Sequence, residues 1–185
     1  MAQPLRKEEH YTYEDFCTWD DGERWELIDG IAYMMAAPLR VHQEISGNLH
    51  FQLYDFLKNK PCKVYAAPID VRLNADGADD TVLQPDIAVV CDRSKLDDKG
   101  ITGAPDMVIE ILSPSTASYD RTLKFDQYLR AGVREYWIAD PDSKTVSAHI
   151  LENGRYYVTA YGENDAAPVH VLEGCRIALR DVFAD

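Results

Sequence analysis

GAPDMVIEILSPST, residues 103–116, has the composition of a β-strand covered on both faces, with a charge set inside it. Met107, Val108, Ile109, Ile111 and Leu112 supply the near-continuous apolar run of such a strand. Glu110 interrupts them. A carboxylate there loses its hydration, which costs several kcal/mol unless a partner, a proton or a cation compensates. The fold and the function of the chain both turn on what Glu110 faces.

Upstream, LQPDIAVVC (residues 83–91) has the pattern of a second largely buried strand, which Asp86 opens directly after Pro85. If the two strands are neighbours, Asp86 and Glu110 converge. Two carboxylates about 4 Å apart repel by roughly 4 kcal/mol at an effective dielectric of about 20. Either one of them holds a proton, or a cation sits between them. Ligation by oxygen alone suits a hard divalent ion such as Mg²⁺. Because alternate strand residues share a face, Glu110 is expected alongside Asp106, Val108 and Leu112.

SYDRTLKFDQYLRAG, residues 118–132, has the pattern of a helix, with Ser118 as its cap and Gly132 just past its end. Its wheel sets Ser118, Phe125 and Leu129 inward, with Lys124 and Arg121 on the flank beside Tyr128. Lys124 then reaches over the acid-bearing strands, and Asp120, one turn earlier, is placed to pair with it. Taken singly, Glu110 also suits an edge strand, Asp86 a turn and Lys124 a solvated helix face. Their arrangement together is what points to chemistry.

The rest of the chain supplies a scaffold. TYEDFCTWDD is a short helix capped by Thr12, and ERWELIDGIAYMM is a hairpin across Asp29-Gly30. RVHQEISGNLHFQLYDFLKN is a long amphipathic helix with Val41, Ile45, Leu49, Leu53 and Phe56 inward. CKVYAA and IDVRL are short strands, DRSKLDDKGITGAP (residues 92–105) a long connection, and REYWIAD a strand. TVSAHIL and YYVTAY form an added hairpin turning at Asn153-Gly154. The expected architecture is a mixed α/β (α+β) fold, a mixed sheet flanked by helices with a C-terminal β-hairpin, in one domain spanning residues 1–185.

Composition sets the outer limits. With 46% hydrophobic residues among 185, the chain can build a core. It has no apolar run near 18 residues and no apolar signal core at its start, so no membrane association and a cytoplasmic location are expected. Cys17, Cys62, Cys91 and Cys175 are scattered without ligand spacing and are read as isolated, reduced thiols. A net charge of −13 argues against broad, charge-driven attachment to nucleic acid, so any such function must rest on local geometry.

LQPDIAVV, PDMVIEILSPST, DRTLKFDQYLRAGVREYWIADP and WELIDGIAYMM together resemble the Uma-two family of restriction endonuclease-like proteins, within the PD-(D/E)XK nuclease superfamily. The resemblance runs from about residue 12 to about residue 160. It implies a restriction-endonuclease-like core and a Mg²⁺-dependent phosphodiesterase acting on DNA, with Mn²⁺ as an alternative ion. Pro85-Asp86 matches the superfamily's PD element and Glu110 its strand acid. The lysine that normally follows two residues later is replaced by Leu112, and the following helix supplies Lys124 instead. Asp86, Glu110 and the Ile111 carbonyl are thereby expected to hold the metal, with Lys124 as the catalytic amine. Glu26 falls on a matching motif acid, His42 on a position where the family often carries histidine, and Asp70 is a supporting candidate.

Two further expectations concern surfaces. Tyr11, Tyr13, Trp19, Trp25, Tyr136 and Trp137 are candidates to stack on bases. The Asn153-Gly154 hairpin, with Tyr156, Tyr157 and Tyr161, is a candidate homodimer surface. The competing reading, prompted by Leu112 and the net charge, is a nuclease fold that is catalytically silent and serves binding or assembly. A metal-free carboxylate-pair hydrolase is the third, and Lys124 beside the acids argues against it.

Overall fold

The computed structural model describes residues 9–114 and 117–184, so residues 1–8, 115–116 and 185 lie outside the described residues. In chain order, α1 (Tyr13–Phe16) leads to the hairpin of β1 (Trp25–Ile28) and β2 (Ile31–Met34), then to α2 (Arg40–Leu57). Next come β3 (Lys63–Ala66), β4 (Asp70–Arg72), β5 (Val82–Leu83), β6 (Ile87–Val90), β7 (Leu96–Asp97), β8 (Gly100–Thr102) and β9 (Met107–Ile111). A composite helix follows: α3 (Ala117–Tyr119), a π-helical turn over Asp120–Lys124, and α4 (Phe125–Ala131). The chain ends with β10 (Glu135–Asp140), β11 (Thr145–Glu152), β12 (Arg155–Gly162), β13 (Ala166–Pro168), β14 (Arg176–Ala178) and α5 (Leu179–Val182).

The quoted strand lies inside a six-stranded mixed sheet of order β12-β11-β10-β9-β6-β3. β9 runs parallel to β10 and antiparallel to β6, with Ile87 opposite Ile109. A smaller sheet, β2-β1-β5-β4-β8-β7, packs against one face of the large one. The expected C-terminal hairpin, β11 and β12, extends one edge of the large sheet. Asn153 and Gly154 turn it with φ of 50° and 75°, as Asp29 and Gly30 turn the first hairpin with 48° and 74°, the positive angles of a two-residue I′ loop.

Each face of the large sheet has its own cover. Ile45, Leu49, Leu53 and Leu57 of α2 pack with Ile87, Val89, Met107, Ile109, Ile111 and Trp137, closed off by Ile177, Leu179, Val182 and Phe183 from the C-terminal elements. Val41 is exposed and Phe56 only half-buried, so the stripe follows a strict four-residue step and misses the first expected position. The opposite face, Ala88, Val90, Val108, Leu112, Tyr136 and Ile138, takes Tyr119 and Tyr128 from the composite helix and Ile28, Val71, Leu83 and Ile101 from the small sheet.

Three expectations are corrected. The connection over residues 92–105 is not one irregular loop: β7 and β8 pair within it and join the small sheet through β4. Ser118 lies inside the helix instead of capping it. Cys62 and Cys91 are not isolated thiols. They flank the β3–β6 ladder, where Lys63 opposes Val90, and that register brings them together as a disulfide closing a separation of 29 residues. Among the described residues, no helix is long and apolar enough to cross a membrane.

Candidate active site

Glu110 faces a lysine. On β9 it is only 3% exposed, and its Oε1 accepts hydrogen bonds from Lys124 Nζ at 2.9 Å and from the Tyr128 hydroxyl at 2.8 Å. Lys124 is itself 1% exposed and reaches a second carboxylate, Glu26 Oε1, at 3.0 Å. Asp120 Oδ1, one turn back, stands 3.7 Å from the same amine. Glu26 comes down from β1 in the small sheet and also accepts from the Tyr119 hydroxyl at 3.1 Å and the Gln84 amide at 2.7 Å. The cluster therefore ties the large sheet, the composite helix and the small sheet to one ammonium.

The helix achieves this by changing pitch. Its buried side chains are Tyr119, Asp120, Lys124, Gln127 and Tyr128, whereas Ser118 is exposed and Phe125 and Leu129 are half-buried. Wheel reasoning assumes 3.6 residues per turn throughout. The wider π turn over Asp120–Lys124 resets the register, and such turns recur at functional sites. Lys124 thus occupies the middle of the inward stripe, while Arg121, expected beside it, is exposed and pairs with Asp140 at 3.2 Å.

Three carboxylates around one ammonium leave surplus negative charge in a dry site. Burial pushes the Glu110 carboxyl well above its ordinary range; Lys124 opposes this, and Asp86, Asp120 and Glu26 add to it. Burial pulls the Lys124 amine down, but Glu110, Glu26, Asp120 and Asp86 outweigh that and hold it well above its ordinary value. The acids thus favour the charged form of the amine, and the amine opposes the uptake of a proton by Glu110.

Asp86 is the neighbour on the adjacent strand. Continuing the β6–β9 register by one residue sets it opposite Glu110. Its Oδ2 accepts from the Ile111 amide at 2.7 Å, locking it to the strand of Glu110, and lies 3.0 Å from His42 Nε2 on α2. It does not bond to Lys124 directly. Among the described residues, the buried Nδ1 of His42 has no hydrogen-bond partner. Asp86 and His42 border a cavity of about 410 Å³ whose walls include Arg24, Gly47, His50 and Pro68.

The remaining candidates divide. Asp70 lies outside the lysine cluster but accepts from Gln84 Nε2 at 2.8 Å, and the Gln84 backbone amide serves Glu26, so Asp70 supports the site at one remove. Burial raises its pKa, against the hydrogen bond from Gln84. Asp106, expected on the face of Glu110, is diverted to the Cys91 amide and to Arg134 at the other end of the strand. The aromatic candidates are not free for stacking on bases: Trp19 packs on Tyr11 and Trp25, Tyr13 and Trp25 are buried, and Tyr136 and Trp137 are wholly so. Sequence reasoning missed Tyr119, Tyr128 and Gln84. Tyr128 was detectable in principle, four residues beyond Lys124 on the same helix face.

Whether these groups suit a divalent ion is a question of donor chemistry. Among the described residues, no hydrogen bond reaches Asp86 Oδ1 or Glu110 Oε2. Nor, among the described residues, does any group of three or more His, Cys, Asp or Glu side chains stand ready to enclose a metal. Two carboxylates on adjacent strands suit an ion that takes oxygen ligands and keeps several of its waters, as Mg²⁺ does. The donor set fits such an ion.

The family model described as "Putative restriction endonuclease", Uma2, matches residues 12–180. The chain belongs to the Uma2 family. Among curated proteins, this Uma2 chain is 27% identical over 158 residues to the uncharacterized protein slr1290 of Synechocystis, covering 82% of this chain and 80% of that protein. Among solved structures it resembles one titled as a putative nuclease belonging to DUF820 from Anabaena variabilis. There the TM-score is 0.76 at 21% identity, covering 94% of this chain and 98% of the other. At that identity the likeness establishes the fold: a Uma2 protein with a mixed, helix-flanked sheet of the restriction-endonuclease-like type.

Proposed function

We propose that this Uma2 protein is a divalent-metal-dependent endonuclease that hydrolyses phosphodiester bonds in DNA. The observation that carries the reading is the pairing of Asp86 and Glu110 across adjacent strands, with the Lys124 amine bonded to Glu110 and the cavity beside Asp86. Asp86, Glu110 and the Ile111 carbonyl would hold Mg²⁺, with Mn²⁺ as a substitute. When bound, the ion supplies polarisation of a phosphoryl oxygen and a more acidic water.

The chain's own residues do the rest. Ile111 N–H and His42 fix the Asp86 carboxylate through Oδ2, leaving Oδ1 for ligation. Lys124 and Tyr128 fix Glu110 through Oε1, leaving Oε2. Lys124, kept protonated by its acidic neighbours, counters the negative charge that develops on the phosphoryl group. Glu26, with Asp120 behind it, holds that amine in position, and Gln84 extends the support to Asp70. On this reading the chain is one domain over residues 1–185, works in the cytoplasm, and functions as a homodimer.

A second reading keeps a specific observation in its favour. Lys124 already occupies the acid cluster as a built-in cation, which suits a catalytically silent nuclease fold serving binding or assembly. Plasmid nicking separates the two. With Mg²⁺ or Mn²⁺ the wild type nicks supercoiled DNA, and Asp86→Ala and Glu110→Ala abolish it. Cleavage unchanged in both variants retires the nuclease reading.

A further inference from the structure

The cavity beside Asp86 has one long wall that the chemistry above does not use. Gln43, Gly47, His50 and Tyr54 follow one another at steps of four, three and four residues along α2, so they form one row on its surface. The row begins next to His42 and passes along the cavity wall. It ends at Tyr54, which is 57% exposed and stacks on His50 with ring centroids 6.1 Å apart and planes 22° from parallel.

Gly47 is the odd member. Apart from proline, glycine is the poorest helix former, and this one sits mid-helix. Close packing does not explain it, since a Cβ added there meets no atom of the described residues within 4 Å. Its effect is to leave the helix backbone bare, a trough between Asp86 and the stacked rings. Across the cavity stand Ala66, Ala67 and Pro68, small and apolar. Arg24 enters from the side, its Nε and Nη2 held by Gln84 Oε1 at 3.1 and 3.0 Å, which fixes the plane of the guanidinium. Asp86 is the only carboxylate among the described residues that line this cavity, in a chain of net charge −13.

We infer that this row is the binding track for an unpaired DNA strand, whose phosphate meets Arg24 near Asp86 while a flanking base stacks on the His50–Tyr54 pair. The inference rests on the nuclease reading and adds its substrate class. Base faces are available for stacking only when they have left the duplex, and stacking on aromatic side chains is how single strands are held whatever their sequence. The cavity, about 410 Å³, lies in the size range of pockets that take one small molecule, which matches a single nucleotide unit.

The test is fluorescence anisotropy with a labelled 15-nucleotide single strand and the matching duplex, in Ca²⁺ to allow binding. Wild type should bind the single strand at least tenfold more tightly. Tyr54→Ala should weaken that binding about tenfold, and Tyr54→Phe should restore it. Gly47→Leu should weaken it similarly while leaving Tm unchanged or raised, because the helix gains a better former at a position open around its Cβ. Duplex bound as tightly as single strand, or Tyr54→Ala and Gly47→Leu both binding like wild type, overturns the proposal. Plasmid nicking that these variants leave intact would then spare the nuclease reading. Track-dependent strand binding with no cleavage in Mg²⁺ would spare the track and sink the nuclease.

Discussion

β9 has two buried faces built on opposite principles. Toward α2, Met107, Ile109 and Ile111 join an apolar cluster with Leu49, Leu53 and Trp137, at whose margin the buried Glu135 is satisfied by Trp137 Nε1 and the Val171 amide. Toward the composite helix, Val108 and Leu112 flank Glu110, and around it gather Lys124, Glu26, Asp120 and two tyrosine hydroxyls. Both faces exclude water to the same degree. The first gains stability from apolar burial and asks little of geometry beyond good packing. The second desolvates several charged groups and recovers that cost only while each keeps its partner. An arrangement of that kind contributes little net stability, so its presence is better explained by chemistry than by folding.

The contrast can be broken from either side. Lys124→Ala leaves Glu26, Glu110 and Asp120 without their shared cation and should have the largest effect, a loss of about 3–5 kcal/mol in urea unfolding at pH 7. On the other face, Ile109→Val removes one methyl group and should cost about 0.5–1.5 kcal/mol, with nicking unchanged. Equal losses for the two, or a Lys124→Ala protein as stable as wild type, would mean that the lysine is solvated and the charged face is not a cluster.

The smallest effect lies on the aromatic rim of the charged face. His149 packs against Phe125, Tyr136 and Tyr156. Burial lowers its pKa below the ordinary 6.5, partly offset by hydrogen bonds to the backbone at Tyr136 and Ser147. The unfolded chain therefore takes up this proton first. The stability contribution is fully present above about pH 6.5 and is lost as pH falls from there through the folded value. His149→Phe should reduce the drop in Tm between pH 7.5 and 5.5, by no more than about 2 °C. An unchanged pH dependence in the variant would show that the ring titrates as it does in water.

What the sequence made legible follows from how local each signal is. Glu110 within its apolar run, the two positive-φ hairpin turns and the four-residue stripe of α2 are readable because strand and helix periods are local properties. The position of Lys124 was only half legible: the wheel put it on a flank, and the π turn that centres it leaves no mark in a 3.6-residue pattern. Glu26 gave no decisive signal, since its burial depends on the small sheet folding onto the helix, a long-range event. His42 was expected near the start of α2, but that its Nε2 reaches Asp86 is a matter of how α2 crosses the sheet. The Cys62–Cys91 bond depends on strand register, which cysteine spacing does not encode.

The proposed activity depends on Asp86 and Glu110 jointly holding a divalent cation. Isothermal titration of Mn²⁺ into the protein at pH 7.5 tests it most directly, with Asp86→Asn and Glu110→Gln alongside. One site per chain is expected in the wild type, and its loss in both variants. No heat in the wild type, or binding that neither substitution alters, would contradict it.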